Sequence, residues 1–302
     1  MSSNAQQNMT PEKLWQLGRV TPIGISKDGK SLVYKVGTPN IQENKINSKY
    51  YSVPVGGGNA TLLEKIEGLV DDKNVSPNGT NILSHKDVKV EKLLGSDIYP
   101  ELSKTTAQVY ESLDYRHWDT WNDGTHNHVG FSENKKDAAF IDIMPNEPYD
   151  SPQKPHGGDE DYVWSPDGSK IIYVCKKKAG TAYALSTNTD LYEYDLASKT
   201  TKNLTEKNLG YDTHPSFSPQ GDLSWLQMKR DGYEADKNDI IVRHKGMDIN
   251  LTAAWDGTVD SFVWSKDGKK VYFIAPIGGT KQLFEVNFPG LTRIAVIVRQ
   301  VT

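Results

Sequence analysis

Short apolar, β-branched runs recur along the chain, and the same polar turn precedes each one. Val163-Trp-Ser-Pro-Asp-Gly168 returns as Val263-Trp-Ser-Lys-Asp-Gly268, with weaker copies at Ile25–Gly29, Val75–Gly79 and Phe217–Gly221. Asp-Gly and Asn-Gly reverse a chain tightly because both residue types tolerate positive φ. After the turn come strand-like runs such as Ser31–Val36, Ile171–Cys175 and Val271–Ala275. A second hairpin then follows: Asp190–Asp195 with Lys202–Thr205, Asp239–Arg243 with Ile249–Thr252, and Gln282–Val286 with Ala295–Val298. Asn-Leu-Thr closes two of these units, at Asn203–Thr205 and Asn250–Thr252. Four strands at a period of roughly 40–50 residues predict the blades of an all-β propeller.

Five four-stranded antiparallel blades are expected, over 22–66, 69–144, 160–205, 211–252 and 259–302. The second is too long and carries an insertion around Glu91–Trp121, expected to be part helix, part loop. Pro145–Asp159, with four prolines and a Gly-Gly, reads as an extended connection. Residues 1–8 read as a flexible leader, and 9–21 as a short helix and entry. Thr10-Pro11-Glu12 opens the helix with an N-cap, a proline at the first position and an acid for the dipole. It is expected to stop near Gly18. A blade buries its faces only against neighbours. Five blades must therefore close on themselves, associate with another copy through exposed edges as a homodimer, or belong to an incomplete ring.

Composition narrows the function. A net charge of −4 and a pI near 6.0 argue against nucleic acid or an anionic membrane as partner. No apolar run approaches the roughly 18 residues of a membrane-spanning helix, and none has signal-peptide character. The single cysteine, Cys175, excludes an intrachain disulfide and reads as a small buried strand residue. His126 and His128, two apart on one strand face, with His117 upstream, could suggest a metal. No cysteine or carboxylate cluster completes a zinc set, so no metal or cofactor is expected. Asp159-Glu160-Asp161 and Asp71-Asp72 lack the spacing of a calcium loop and read as solvated charge. Lys176–Lys178 reads as a hairpin end, and the Asn-x-Thr sequons as incidental strand endings.

Several ordered segments carry a family resemblance. Met9–Trp15 with Leu17–Val20, Asp114–Trp121 and its Arg-His-Trp core, Met144–Asp150, Ser186–Tyr192, Gly210–Pro215 and Lys229–Asp236 span nearly the whole chain. Together they resemble the amino-terminal propeller of the prolyl oligopeptidase (S9) class, near acylaminoacyl-peptidase and dipeptidyl-peptidase 5-like bacterial enzymes. The resemblance implies a propeller, seven-bladed in typical members, that filters peptide access to an α/β-hydrolase domain with a Ser-Asp-His triad. The five blades then point to an incomplete seven-bladed ring, with peptide and a carboxy-terminal hydrolase domain as partners. The chain departs from the family in one decisive respect. A nucleophile elbow needs Gly-x-Ser-x-Gly, and the nearest approach, Gly24-Ile-Ser-Lys-Asp28, is a blade turn. No peptidase activity is expected from this chain alone.

Two constellations could touch a peptide. Arg116, His117 and Trp118 form one, and Arg230 with Glu234 the other, since guanidinium binds carboxylates and carbonyls while a carboxylate binds an amine. For the second, surface pairing among Arg230, Asp231, Glu234 and Asp236 is the stronger reading. The leading function is thus a substrate-gating propeller of a serine peptidase. The alternatives are a stand-alone protein-interaction propeller and, well behind, a five-bladed glycosidase, which needs convergent acids.

Overall fold

A computed structural model describes residues 8–113, 115–288 and 298–300, the last stretch by its backbone only. The leader up to Gln7, Asp114 and the expected strand residues Ala295–Ile297 lie outside the described residues. The chain divides into two compact units, one ending at Lys73 and the other starting at Asn74.

The first unit holds the expected helix, α1 (Pro11–Gln16), whose Lys13 N–H bonds the Thr10 side chain. It also holds one antiparallel blade in the order β1 (Arg19–Ile25), β2 (Ser31–Asn40), β3 (Lys45–Pro54) and β4 (Thr61–Leu63). β2 and β3 pair along ten residues each, from Ser31 opposite Pro54 to Asn40 opposite Lys45.

The second unit holds four blades. The first pairs β5 (Asn81–Lys89), β8 (Thr125–Glu133) and β9 (Ile141–Asp142). Its expected leading strand shrinks to a single bridge, Val75 to Ile82. The residues before Val75 are too polar to extend it: Asp71, Asp72 and Lys73. Between β5 and β8 stands an arm bearing α2 (Gly95–Ile98), a 3₁₀ turn at Pro100–Leu102, and a small hairpin of β6 (Arg116–His117) and β7 (Thr120–Trp121). The insertion is thus helix, loop and a two-residue-stranded hairpin. The next blades are four-stranded. One is β10 (Tyr162–Trp164), β11 (Lys170–Cys175), β12 (Asp190–Asp195) and β13 (Thr200–Asn203), with α3 (Gly180–Leu185) in its β11–β12 loop. The following blade is β14 (Asp212–Phe217), β15 (Leu223–Gln227), β16 (Asp239–His244) and β17 (Met247–Asn250). The last is β18 (Ser261–Trp264), β19 (Lys270–Ile277), β20 (Thr280–Asn287) and β21 (Val298–Gln300).

Alternation decides how blades pack, because successive side chains leave a strand on opposite faces. Ile171, Tyr173 and Cys175 of β11 join Leu83, Val129 and Met144 of the preceding blade in one buried cluster. Ile172 and Val174 join Leu223, Trp225 and Ile241 of the following blade in another. A third cluster sets Leu226, Ile240 and Val242 against Val271, Phe273 and Phe284. A strand buried on both faces reads as continuous apolar sequence, as Ile171–Cys175 does. Each such side chain contributes about 1.5–3 kcal/mol on burial. Cys175 is fully buried, and burial pushes its thiol well up, which leaves it without nucleophilic character. The outward face of the last sheet leaves Val263, Ile274 and Leu283 exposed.

The repeated motif has a repeated structure. Ser165 Oγ donates to Asp167 Oδ1 (2.6 Å) and accepts the Lys170 N–H (2.9 Å), while Asp167 Oδ1 accepts the Ser169 N–H (3.1 Å). Gly168 takes a φ of 70°. The same web recurs at Ser26/Asp28, Ser76/Asn78 and Ser265/Asp267. Bonds from the Ser165 hydroxyl and the Ser169 N–H hold the Asp167 carboxyl at about 2. The motif tryptophans tie blades together: Trp164 Nε1 donates to the Asn74 carbonyl (2.8 Å) and Trp264 Nε1 to Ser224 Oγ (2.9 Å).

Asn-Leu-Thr is a strand-end clip. Thr252 Oγ1 accepts the Ile240 N–H (3.0 Å) and donates to Asp239 Oδ1 (2.7 Å), while Asn250 Oδ1 accepts the Thr252 N–H (2.9 Å). Thr205 and Asn203 repeat the backbone part with the Leu191 N–H (3.0 Å) and the Thr205 N–H (2.9 Å). Thr252→Val keeps the shape and deletes the hydroxyl, so it is expected to cost about 1–3 kcal/mol in denaturant unfolding. No change in the midpoint would discard the clip.

Asp212 is a fully buried carboxyl among neutral donors. Its Oδ1 accepts from Trp225 Nε1 (2.7 Å) and Gln227 Nε2 (2.8 Å), and its Oδ2 from Asn208 Nδ2 (3.0 Å). Burial pushes its pKa up to about 7, and the donor bonds pull against that rise without cancelling it. An unfolded aspartate titrates near 3.9. The native state therefore binds the extra proton, and Asp212 favours folding fully at low pH and progressively less as pH rises toward 7. Relative to Asp212→Asn, the wild type should lose on the order of 3 kcal/mol of stability between about pH 4 and pH 8. Parallel stability curves for the two proteins would refute this.

Candidate functional site

In an antiparallel blade the first and third turns share one end, and the second loop and the exit to the next blade share the other. The tight Asp-Gly turns of the second unit thus lie at one end. Its long segments gather at the other: the arm, the 143–161 connection, the 176–189 loop and the 228–238 loop. Several bonds join these segments. Lys154 Nζ donates to the Thr125 carbonyl (3.1 Å), Gln153 Nε2 to Tyr183 Oη (3.2 Å), and Asp231 Oδ1 accepts from Ser186 Oγ (2.7 Å) and the Thr187 N–H (2.8 Å).

A cleft of about 940 Å³ opens at this loop end. The arm forms one wall with Arg116, His117, Trp118 and Trp121, and the floor carries Glu91, His126 and Asp150. The arm holds its shape through an aromatic triangle in which Tyr110, Tyr115 and Trp121 lie 5.7–6.2 Å apart. Tyr110 Oη also donates to the Asn122 carbonyl (2.6 Å). At the tip, Arg116 Nε donates to the Trp118 carbonyl (2.6 Å), and its guanidinium lies 5.6 Å from the Trp121 ring. Trp118 takes a φ of 51°, uncommon for a bulky residue. Its ring is 66% exposed and rests 5.1 Å from that of His156 in the 143–161 connection.

On the floor, His126 Nδ1 lies 3.2 Å from Asp150 Oδ2 and Nε2 lies 3.0 Å from Glu91 Oε2. Asp150 Oδ1 accepts the Asn127 N–H (2.8 Å) and faces Lys154 Nζ at 3.1 Å. Burial raises the Asp150 carboxyl, but His126, Lys154 and the Asn127 N–H outweigh that and hold it below the usual range. His128, fully buried, spans Asp142 Oδ2 and the Glu147 carbonyl, both at 2.8 Å. Both nitrogens of both rings are thus engaged by protein groups. Among the described residues no cluster of three or more His, Cys, Asp or Glu is arranged to hold a metal. Asp159 and Asp161 are occupied in structure as well: Asp159 Oδ2 accepts from Asn74 Nδ2 (3.1 Å) and Asp161 Oδ2 the Gln153 N–H (2.9 Å).

The structure brings Arg116, His117 and Trp118 into the cleft wall, and it places Arg230 and Glu234 elsewhere, in the 228–238 loop. Arg230 does not pair with Glu234. The loop reverses so that Asp236 returns to it, and Asp236 takes the guanidinium fork at 3.2 and 2.9 Å. Tyr233 lies over the same group at 4.3 Å, and Glu234 is exposed. The acids that matter in the cleft, Glu91 and Asp150, are far apart in sequence and carried no local signal. Removing the Asp150 charge strands His126 and Lys154. Asp150→Asn is expected to cost about 3 kcal/mol, and Lys154→Ala, on the exposed side, far less. Equal effects of the two substitutions on urea unfolding would contradict this electrostatic reading.

No family model matches the chain. It is 35% identical to dipeptidyl-peptidase 5 of Porphyromonas gingivalis, over 94% of the chain and 48% of that protein. It is 34% identical to dipeptidyl-peptidase 5 of Porphyromonas endodontalis, over 76% of the chain and 40% of that protein. The chain thus spans about half the length of these curated relatives or less. Among solved structures it is similar to the acylaminoacyl peptidase of Pyrococcus horikoshii, with a TM-score of 0.60 and 11% identity, over 96% of the chain and 46% of that structure. The last likeness concerns the fold alone. With the five blades and the ordered motifs, these relatives show that the chain is a β-propeller region of the prolyl oligopeptidase (S9) peptidase class.

Proposed function

We propose that the chain is the non-catalytic, substrate-gating part of a serine peptidase that releases short peptides, and that the nucleophile stands on a hydrolase domain encoded elsewhere in the same polypeptide. The likeness to dipeptidyl-peptidase 5 over 94% of the chain carries this reading. The cleft supports it. Its volume suits a short peptide rather than a folded protein. Trp118 and Trp121 offer flat apolar surface, Arg116 a carboxylate or carbonyl partner, and Glu91 a charge for an amine. The sequence contains no Gly-x-Ser-x-Gly, so no residue here has the setting of a nucleophilic serine.

The chain itself should remain unlabelled by a fluorophosphonate probe for serine hydrolases, and should release nothing from dipeptidyl arylamides. Labelling would overturn the non-catalytic assignment. In an intact peptidase containing this chain, Trp118→Ala should change kcat/KM for long relative to short peptides severalfold. Unchanged selection would favour the stand-alone interaction propeller over the gate.

A further inference from the structure

The arm is fastened at its root. The N–H groups of Val90 and Glu91 both donate to the Gly124 carbonyl (2.8 and 3.1 Å), and Lys89 Nζ lies 3.0 Å from Asp97 Oδ2. These contacts close the arm on its own stem. The Glu91 side chain reaches further. Through His126 it is joined to Asp150, a residue of the 143–161 connection that also lines the cleft.

The chemistry of that junction is specific. Both groups facing the ring are carboxylates, which are acceptors when ionised. A neutral imidazole donates through one nitrogen only. Both bonds are satisfied together only when both ring nitrogens carry a proton. Loss of one proton turns a nitrogen lone pair toward a carboxylate, and repulsion replaces a charge-assisted bond. The ring is nearly buried, at 8% exposure, so water cannot readily take the place of the lost partner.

We propose that His126 is a protonation-dependent staple that fixes the root of the arm to the 143–161 connection and so sets the width of the cleft. The staple is closed while both ring nitrogens carry a proton and both carboxylates are ionised, and it opens as the ring loses a proton. Burial of the ring disfavours its charge, but the bonds to Asp150 and Glu91 and their charges outweigh that, and His126 keeps its proton to higher pH than an ordinary histidine. The stabilisation is full below the unfolded value near 6.5 and is lost as pH rises through the raised native value.

The surrounding charges agree with this balance. From the connection, Lys154 faces Asp150 rather than the ring. Asp87 on β5, Asp123 at the arm's root and Lys178 on the β11–β12 loop line the same cleft. Lys89 of β5 is engaged by Asp97. The two carboxylates in contact therefore dominate the field on the ring. Regulation of peptide entry by the staple rests on the gating function proposed above, but the staple itself does not.

Hydrogen exchange, corrected for the intrinsic effect of pH, tests it on the whole chain without reference to peptidase activity. Exchange in 92–113 should be at least about fivefold faster at a pH above the His126 titration than at one below it, with β11 unchanged as an internal control. Glu91→Gln, at a partly exposed position, should abolish most of that step and leave the arm fast at both pH values. Nitrogen-resolved NMR of the imidazoles should show both ring nitrogens of His126 protonated on the low-pH side of that step, with His126 titrating above its own value in the urea-unfolded protein. An arm whose exchange is the same at both pH values, a step that survives Glu91→Gln, or a His126 that titrates no higher than in the unfolded protein would each overturn the staple.

Discussion

The second unit depends on one constraint: a sheet that lies between two others is covered on both faces, and another blade supplies a surface of matching twist and width. β11 shows the consequence. Its odd residues, Ile171, Tyr173 and Cys175, pack on one neighbour and its even residues, Ile172 and Val174, on the other. A polar residue on either face would be buried without a partner and cost about 1–3 kcal/mol. The polar groups that are buried are therefore concentrated at strand ends, where backbone and side chains can satisfy them. Thr205, Asp212, Asp239 and Thr252 all follow this rule. Packing thus forces the chain to confine its chemistry to the ends of the blades.

The two ends are then used differently. At one, the Ser-x-Asp-Gly web is satisfied within six residues and needs nothing from outside. Such a turn is a local device and can be repeated without change. At the other end the loops satisfy one another across long sequence separations, as when Asp231 bonds Ser186 and Thr187, or Lys154 reaches the Thr125 carbonyl. These contacts hold only in one spatial arrangement of neighbouring blades, so this end can carry a site.

That difference explains what was legible in the sequence. The turns, the paired strands and the positions of the Asn-Leu-Thr endings are short-range and legible in residues such as Val163–Gly168 and Asn250–Thr252, but those endings are a structural clip and not incidental. The arm was visible as an excess of length, but not its hairpin, because strands of two residues carry no periodicity. Arg116, His117 and Trp118 were singled out and do line the cleft. Surface pairing among Arg230, Asp231, Glu234 and Asp236 is legible in the sequence, but only the reversal of the loop selects Asp236 as the partner of Arg230. His126 and His128 stand out in the sequence as a pair two residues apart, and the structure engages both nitrogens of each ring with protein groups. The partners of His126, Glu91 and Asp150, come from segments that meet only after folding, so no spacing rule connects them.

The cleft and the core therefore impose opposite demands on the same strand. β8 places Val129 in the core and His126 three residues away on the cleft floor. Toward the core it must be rigid, and toward the arm its groups must be able to exchange partners. The strand meets both demands by grading its contacts along its length. His128 is sealed between Asp142 and the Glu147 carbonyl, whereas His126, one pleat nearer the loop end, holds Glu91, whose side chain is 40% exposed. Water can compete more readily for that carboxylate than for Asp142, whose side chain is 23% exposed. The blades are held by their buried faces, and the contact open to change lies where the buried His126 meets the partly exposed Glu91.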